Sequence, residues 1–274
     1  MDMVVLSAEG YLCPPLRWGE VLIWLVAAYL VGAIPFSLIL GYLLAGVDIR
    51  QHGSGNIGAT NLARVVGWKY FPLAFALDSA KGAMPVAAWM WRAGIFLPGT
   101  MASQAMFQGG LTNVPNAYDL AALLGLAALA GHLWPIYLRF RGGKGVATGA
   151  GVVAVLMPLP TAVAALTWGV VAWLSRYVSL SSLCAAFALV VSQAVYTWPS
   201  CFAPAHRAAT SLALIGAGLV FLRHRENIVR LWQGRESKLG QQTPLPTYCN
   251  SPTKISFSGD APGAASPEVE GHES

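Results

Sequence analysis

The chain has 274 residues, of which 55% are hydrophobic and only 11% charged, with a net charge of +5. Soluble domains carry about 25% charged residues, so lipid is the expected solvent for most of this chain. Nucleic acid is excluded as the partner of the positive charge, because no soluble basic domain carries it.

A membrane-crossing helix needs about 20 apolar residues. Val21–Val47 meets that length and is predicted as the first span. A polar, glycine-rich segment, Asp48–Lys69, follows it. Tyr70–Trp91 is the second span and carries Asp78 and Lys81 inside it. Arg92–Ala117 is a loop, and Tyr118–Leu138 is the third span. Val146–Leu174 is apolar throughout but holds Pro158 and Pro160, and proline breaks an interior helix. It reads as one kinked helix or as two short ones turning at Met157–Thr161. Ser179–Trp198 and Ala208–Leu222 complete the apolar runs. Residues 1–20 form an N-terminal segment and 21–240 the membrane domain. Residues 241–274, rich in Pro, Ser, Gly and Thr, read as a disordered cytoplasmic tail. The first basic residue is Arg17, so a cleaved signal peptide is not expected. The four cysteines form no C-x-x-C pair, which argues against a metal or redox motif.

Charge placement decides between the two readings of Val146–Leu174. Cytoplasmic loops are enriched in Lys and Arg. With the N-terminus outside and seven crossings, the clusters around Arg50–Lys69, Arg139–Lys144 and Arg223–Lys238 all lie inside, with Arg176. Only Arg17, Arg92 and Arg207 are left outside. The expected fold is therefore an all-α polytopic membrane protein of seven transmembrane helices, some short or broken, with its C-terminus in the cytoplasm.

Three polar segments could carry chemistry. The first, His52–Gly67, contains Gly53, Gly55 and Gly58 in a G-x-G-x-x-G pattern. A dinucleotide fingerprint needs a preceding strand and a βαβ unit, and here a long apolar helix precedes it. The segment reads instead as a glycine-rich turn opening a short helix near Ala59–Val66. Ser54 and Asn61 offer neutral donors there, and Arg64 offers a bidentate fork for phosphate. In the second span, Asp78 and Lys81 share a helix face. Ionisable residues at membrane depth are functional candidates. Lys81 reads as an anion ligand, and Asp78 equally as a site residue or as half of a structural ion pair.

The second segment is RFRGGKGVAT, Arg139–Thr148. Gly142, Gly143 and Gly145 tolerate positive φ and can turn successive N–H groups toward one point. Beside Lys144 and at the start of a helix, such a nest favours phosphate. It is not a Walker A motif, since Gly145 follows Lys144, so no nucleotide is implied. His132 reads as a packed histidine. The third segment, Arg223–Lys238, places His224 and Asn227 on one helix face. His224 could act as base or donor near neutral pH. Glu226 with Arg230 reads as a surface pair at i, i+4, and Glu236 either as solvated with Lys238 or as a carboxylate that orients a basic neighbour.

Taken together, SGNIGATNLAR at Ser54–Arg64, GH–P–F–GGKGVAT between Gly131 and Thr148, and HRENIVRL–G–E–K between His224 and Lys238 resemble the bacterial acyl-phosphate-dependent glycerol-3-phosphate acyltransferases. The resemblance covers about residues 20–240, in matching order and spacing. It implies transfer of a fatty acyl group from acyl phosphate to the 1-hydroxyl of sn-glycerol 3-phosphate, giving lysophosphatidic acid and phosphate. It implies Ser54 and Arg64 as essential polar residues, Gly142, Gly143, Lys144 and Gly145 as the glycerol-phosphate loop, and His224 and Asn227 as active-site groups. Glu236 and, less centrally, Ser179 and Lys81 carry over as supporting positions. Ile57 stands where the family often has proline. The implied location is the bacterial inner membrane with the site on the cytoplasmic side. The implied partners are the two substrates, membrane lipid and the soluble enzyme that makes acyl phosphate; no cofactor or metal is implied. The alternative acyltransferase signature, His followed by four residues and Asp, is absent from the sequence. A transporter of a phosphorylated solute is the competing reading, because broken helices facing an anion are common there.

Overall fold

The computed structural model describes residues 3–6, 12–16, 18–93, 95 and 115–241. The expected tail and most of the Arg92–Ala117 loop lie outside the described residues. Two short strands, β1 (Met3–Leu6) and β2 (Leu12–Leu16), pair antiparallel in the N-terminal segment. The other elements among the described residues are helical: α1 (Trp18–Ala33), α2 (Phe36–Ala45), α3 (Ala59–Val65), α4 (Phe71–Arg92), α5 (Pro115–Leu133), α6 (Val146–Leu156), α7 (Pro158–Ser175), α8 (Val178–Thr197), α9 (Arg207–Arg223) and α10 (Arg225–Trp232). Trp18–Ala45, Ala117–Leu138, Pro158–Ser175 and Val178–Thr197 are each long and apolar enough to cross a membrane. Large apolar side chains such as Leu22, Ile23, Leu166, Trp173 and Val195 stand exposed on them, as lipid-facing positions do.

The first span is not continuous. It breaks between Ala33 and Phe36, at Ile34–Pro35, where the proline ring and its missing N–H interrupt the ladder. In an apolar medium the freed carbonyl of Ile34 needs a donor. Phe36 N donates to it at 3.1 Å, and Lys81 Nζ adds the shorter bond, at 2.7 Å. The same ammonium pairs with Asp78 Oδ1 at 2.8 Å, and Ser37 Oγ donates to Asp78 Oδ2 at 2.8 Å. The ion pair on α4 thus fastens both sides of the break. Lys81→Met should lower stability by about 3–5 kcal/mol, because it leaves a buried carboxylate without its partner. Thermal unfolding in detergent measures this; the double change Lys81→Met, Asp78→Asn should recover part of the loss, and no recovery would refute the pairing.

The stretch with two prolines forms two helices. The break falls at Met157, and Pro158 takes the first position of α7, where its missing N–H leaves no intrahelical bond unmade. The two halves pack against different partners, α6 on α4 and α7 on α8. Glycines allow the closest crossings: Gly82 meets the backbone of Thr148, Gly151 that of Ser79, and Gly131 that of Tyr29, each closer than a Cβ permits. Small residues at such contacts are the usual device for packing helices in lipid. α5 stops at Leu133, short of the expected Leu138, because Pro135 cannot continue it; Ile136–Leu138 form one 3₁₀ turn instead. Trp89 anchors the core, with its indole edge-on to Trp24 at 5.9 Å and Nε1 donating to Ala117 O at 2.8 Å.

Candidate functional site

The three polar segments converge. The loop before α3 with α3 itself, the start of α6, and the α9–α10 junction with the chain to Glu236 line one cavity of about 90 Å³. α8 adds Ser179. Of the expected residues, Ser54, Asn61, Arg64, Lys144, Gly145, Ser179, His224, Asn227 and Glu236 line it, joined by Asp78 and His132. Lys81, Gly142 and Gly143 are not among its walls. Lys81 is 1% exposed and spends its ammonium on Ile34 and Asp78, so the position expected to reach an anion is instead engaged at the helix break.

A hydrogen-bonded chain crosses the site. Lys144 Nζ donates to Asn227 Oδ1, and Asn227 Nδ2 donates to Glu236 Oε1 at 2.7 Å. An ammonium only donates and a carboxylate only accepts, so the Asn227 amide can sit only one way. Arg230 Nε donates to Glu236 Oε2 at 2.9 Å, while its contact with the exposed Glu226 is 4.0 Å. Arg230 is therefore tied chiefly to Glu236 rather than to the expected surface partner. Burial would raise the Glu236 carboxyl, but hydrogen bonds from Arg230 and Asn227 outweigh it and hold the group below its ordinary range. Ser179 Oγ makes no hydrogen bond of good geometry, although it lies near enough to Glu236 to help keep it ionised. Burial pushes Lys144 down to about 8, with Glu236 opposing and Arg230 and Arg64 adding to the shift. Arg64 Nη2 reaches Ser237 O at 3.4 Å, and its Nε is buried without a partner.

His224 sits between α9 and α10 with Nδ1 2.8 Å from Val220 O. A carbonyl only accepts, so Nδ1 carries the proton and Nε2 is the acceptor in the neutral ring. Burial and the nearby Lys144 lower its conjugate acid to about 4. Asn61 is 1% exposed and fully employed: Nδ2 donates to Ile49 O at 2.7 Å and His52 O at 3.2 Å, and Oδ1 accepts from Ser54 N at 2.8 Å. It shapes the loop that presents Ser54, and both its donor hydrogens are occupied.

The glycine loop differs from the expected nest. Left-handed φ occurs at Arg139 (51°), Phe140 (62°) and Gly145 (83°), not at Gly142 or Gly143. Gly143 N donates to His132 O at 3.1 Å, so that N–H faces the end of α5. A methyl group on Gly143 would strike the imidazole of His132, and one on Gly142 the carbonyls of His132 and Leu133. These glycines are required by close approach rather than by φ. Gly145 caps α6 and is the position where positive φ applies. The N-terminal turn of α6, through Val146 and Ala147, faces the cavity.

One feature was not read from the sequence. Arg223 donates from Nε to Gly143 O and from Nη2 to Gly142 O, both at 3.0 Å; its place directly before His224 was the only signal. A second cavity of about 330 Å³ is walled by apolar and small side chains, among them Gly125, Leu129, Val153, Ala186, Leu189 and Gly216. It shares Phe71, Phe75, Gly145, Val146, Trp168 and Ser182 with the polar one.

Fold and site thus define a multi-pass membrane protein whose basic, polar cavity adjoins an apolar one. The profile of the glycerol-3-phosphate acyltransferase family matches residues 22–234. Glycerol-3-phosphate acyltransferases of Anaeromyxobacter sp. (strain Fw109-5) and Acholeplasma laidlawii are 41% and 34% identical over 219 and 236 residues, covering 80% and 81% of this chain and 96% and 94% of theirs. The crystal structure of PlsY (YgiH), an integral membrane glycerol 3-phosphate acyltransferase, is similar in its glycerol 3-phosphate form, with a TM-score of 0.65 and 35% identity over 81% of this chain and 96% of that one. Its lysophosphatidic acid form gives a TM-score of 0.63. The chain belongs to the glycerol-3-phosphate acyltransferase family.

Proposed function

We propose that the chain transfers a fatty acyl group from acyl phosphate to the 1-hydroxyl of sn-glycerol 3-phosphate, at the cytoplasmic face of a bacterial inner membrane. As a family member it is an acyltransferase, and the related PlsY structures hold glycerol 3-phosphate and lysophosphatidic acid. The observation that carries the reading is the adjacency of the two cavities: basic side chains and buried polar atoms without partners line one, and an apolar cavity shares walls with it. A polar acceptor with a phosphate and a donor with a long acyl tail need that pairing of surfaces.

Lys144, Arg64 and the N-terminus of α6 hold substrate phosphate, the helix end adding its dipole. Ser54, Ser179, His224 and Asn227 orient the glycerol hydroxyls, and Glu236 fixes Asn227. The substrate hydroxyl oxygen attacks the acyl carbonyl carbon, the carbon–oxygen bond to the donor phosphate breaks, and phosphate leaves. The hydroxyl proton passes to His224 Nε2 or to a phosphate oxygen. With its conjugate acid near 4, His224 is a weak base at neutrality, whereas phosphate titrates near 6; this favours the phosphate. Catalysis then rests on positioning and charge stabilisation. Seven crossings with the N-terminus outside place Lys144 and His224 together inside, in accord with the charge distribution. The soluble enzyme that makes acyl phosphate is a candidate partner.

Purified protein in proteoliposomes, given acyl phosphate and glycerol 3-phosphate, tests this. Lysophosphatidic acid and stoichiometric phosphate are expected. Uptake of glycerol 3-phosphate without product would favour the transporter, and product from another acyl donor only would overturn the choice of acyl phosphate.

A further inference from the structure

We propose that Arg223 is a positioning residue, holding the Gly142–Gly143 backbone so that Lys144 stands in fixed register with His224 and Asn227. The inference rests on the reading of the polar cavity as the glycerol 3-phosphate site. Arg223 is half-buried and is not among the residues that line the cavity. From there its hydrogen bonds act on substrate through the loop they hold, and its charge acts separately.

The loop offers few other handles. Gly142 and Gly143 have no side chains, and the space a Cβ would need is filled by the end of α5. Only backbone groups remain to fasten them. On one side Gly143 N donates to His132 O at 3.1 Å. On the other, Arg223 takes both successive carbonyls, Nε on Gly143 O and Nη2 on Gly142 O, each at 3.0 Å. The peptide joining Gly143 to Lys144 therefore has its carbonyl turned to Arg223 and its N–H turned the opposite way. The next residue is Lys144, whose ammonium meets Asn227. The turn that bears His224 and Asn227 thus grips the loop that bears Lys144, once through backbone and once through side chain.

The acceptors are neutral carbonyls, so the fork matters more than the charge. A guanidinium presents donors in a rigid plane that reaches two acceptors at once, whereas an ammonium is a single point. This separates the proposal from a general electrostatic effect of one more cation near an anion site.

The experiment is steady-state kinetics of Arg223→Ala in detergent or proteoliposomes, with acyl phosphate saturating and glycerol 3-phosphate varied. We expect the apparent KM for glycerol 3-phosphate to rise about tenfold or more, with a smaller change in kcat. Methylguanidine added to the variant should restore the affinity, and methylammonium at the same concentration should not. Arg223→Lys keeps charge and bulk; it should retain the wild-type unfolding midpoint yet still show a raised KM, and it carries the test if the alanine variant does not fold. An unchanged KM in the lysine variant, or equal rescue by methylammonium, overturns the proposal. Failure of the underlying reading would show separately, as wild-type protein that forms no lysophosphatidic acid in the same assay.

Discussion

Asn227→Ala should lower kcat/KM for glycerol 3-phosphate by about 10²–10⁴, since it strips one partner from each of two charged groups at about 1.5–3 kcal/mol apiece. Those groups are Lys144, which donates to Asn227 Oδ1, and Glu236, which accepts from Nδ2 at 2.7 Å. Without the amide, Lys144 and Glu236 lose the bridge that separates and aligns them. Asn227→Asp sharpens the test. It keeps an acceptor for Lys144 but sets a second carboxylate against Glu236, and one of two adjacent carboxylates then holds its proton at neutral pH. Both variants are therefore expected to be nearly inactive while folded. Glu236→Gln retains an oxygen that can accept from Asn227 but loses its charge toward Arg230, so its loss should be smaller, about tenfold. Product formation and thermal unfolding, measured side by side, decide this. Wild-type activity in Asn227→Ala would remove the residue from the site.

Much of this site was legible because its residues cluster in three short segments whose apolar flanks mark where helices begin and end. Pro158 was readable as a break because proline interrupts the apolar run there and the placement of the basic clusters calls for one more crossing. Pro35 was not, since the run around it suits a single span and the group that makes its break tolerable, Lys81, lies on another helix. For the same reason Lys81 could be read as an anion ligand: the sequence holds a buried cation but not the carbonyl that claims it. The glycine loop was found for a partly mistaken reason. Glycine type signals either left-handed backbone or close approach, and only the fold shows that His132 and Leu133 occupy the space beside Gly142 and Gly143. Arg223 was counted as one positive charge among several, because its acceptors are backbone carbonyls that no residue type reveals.

The pH dependence of Lys144 should separate binding from stability. Burial lowers its ammonium to about 8, against about 10.4 in an unfolded chain. Only the charged form attracts phosphate, so kcat/KM for glycerol 3-phosphate should fall as pH rises through about 8, by about tenfold per pH unit. Bound phosphate favours the ammonium, so the alkaline limb of kcat should lie higher than that of kcat/KM. Stability moves the other way. Between about 8 and 10.4 the unfolded chain binds the proton that the folded chain has lost, so this group makes folding more favourable as pH rises across that window. Lys144→Met should abolish both effects, with low, pH-independent affinity above neutrality and no such rise in stability. On the acid side His224, near 4, should contribute nothing above pH 5, and loss of affinity near 6 should follow protonation of the substrate phosphate itself. A kcat/KM flat to pH 10, or the same alkaline limb in Lys144→Met, would detach Lys144 from phosphate binding.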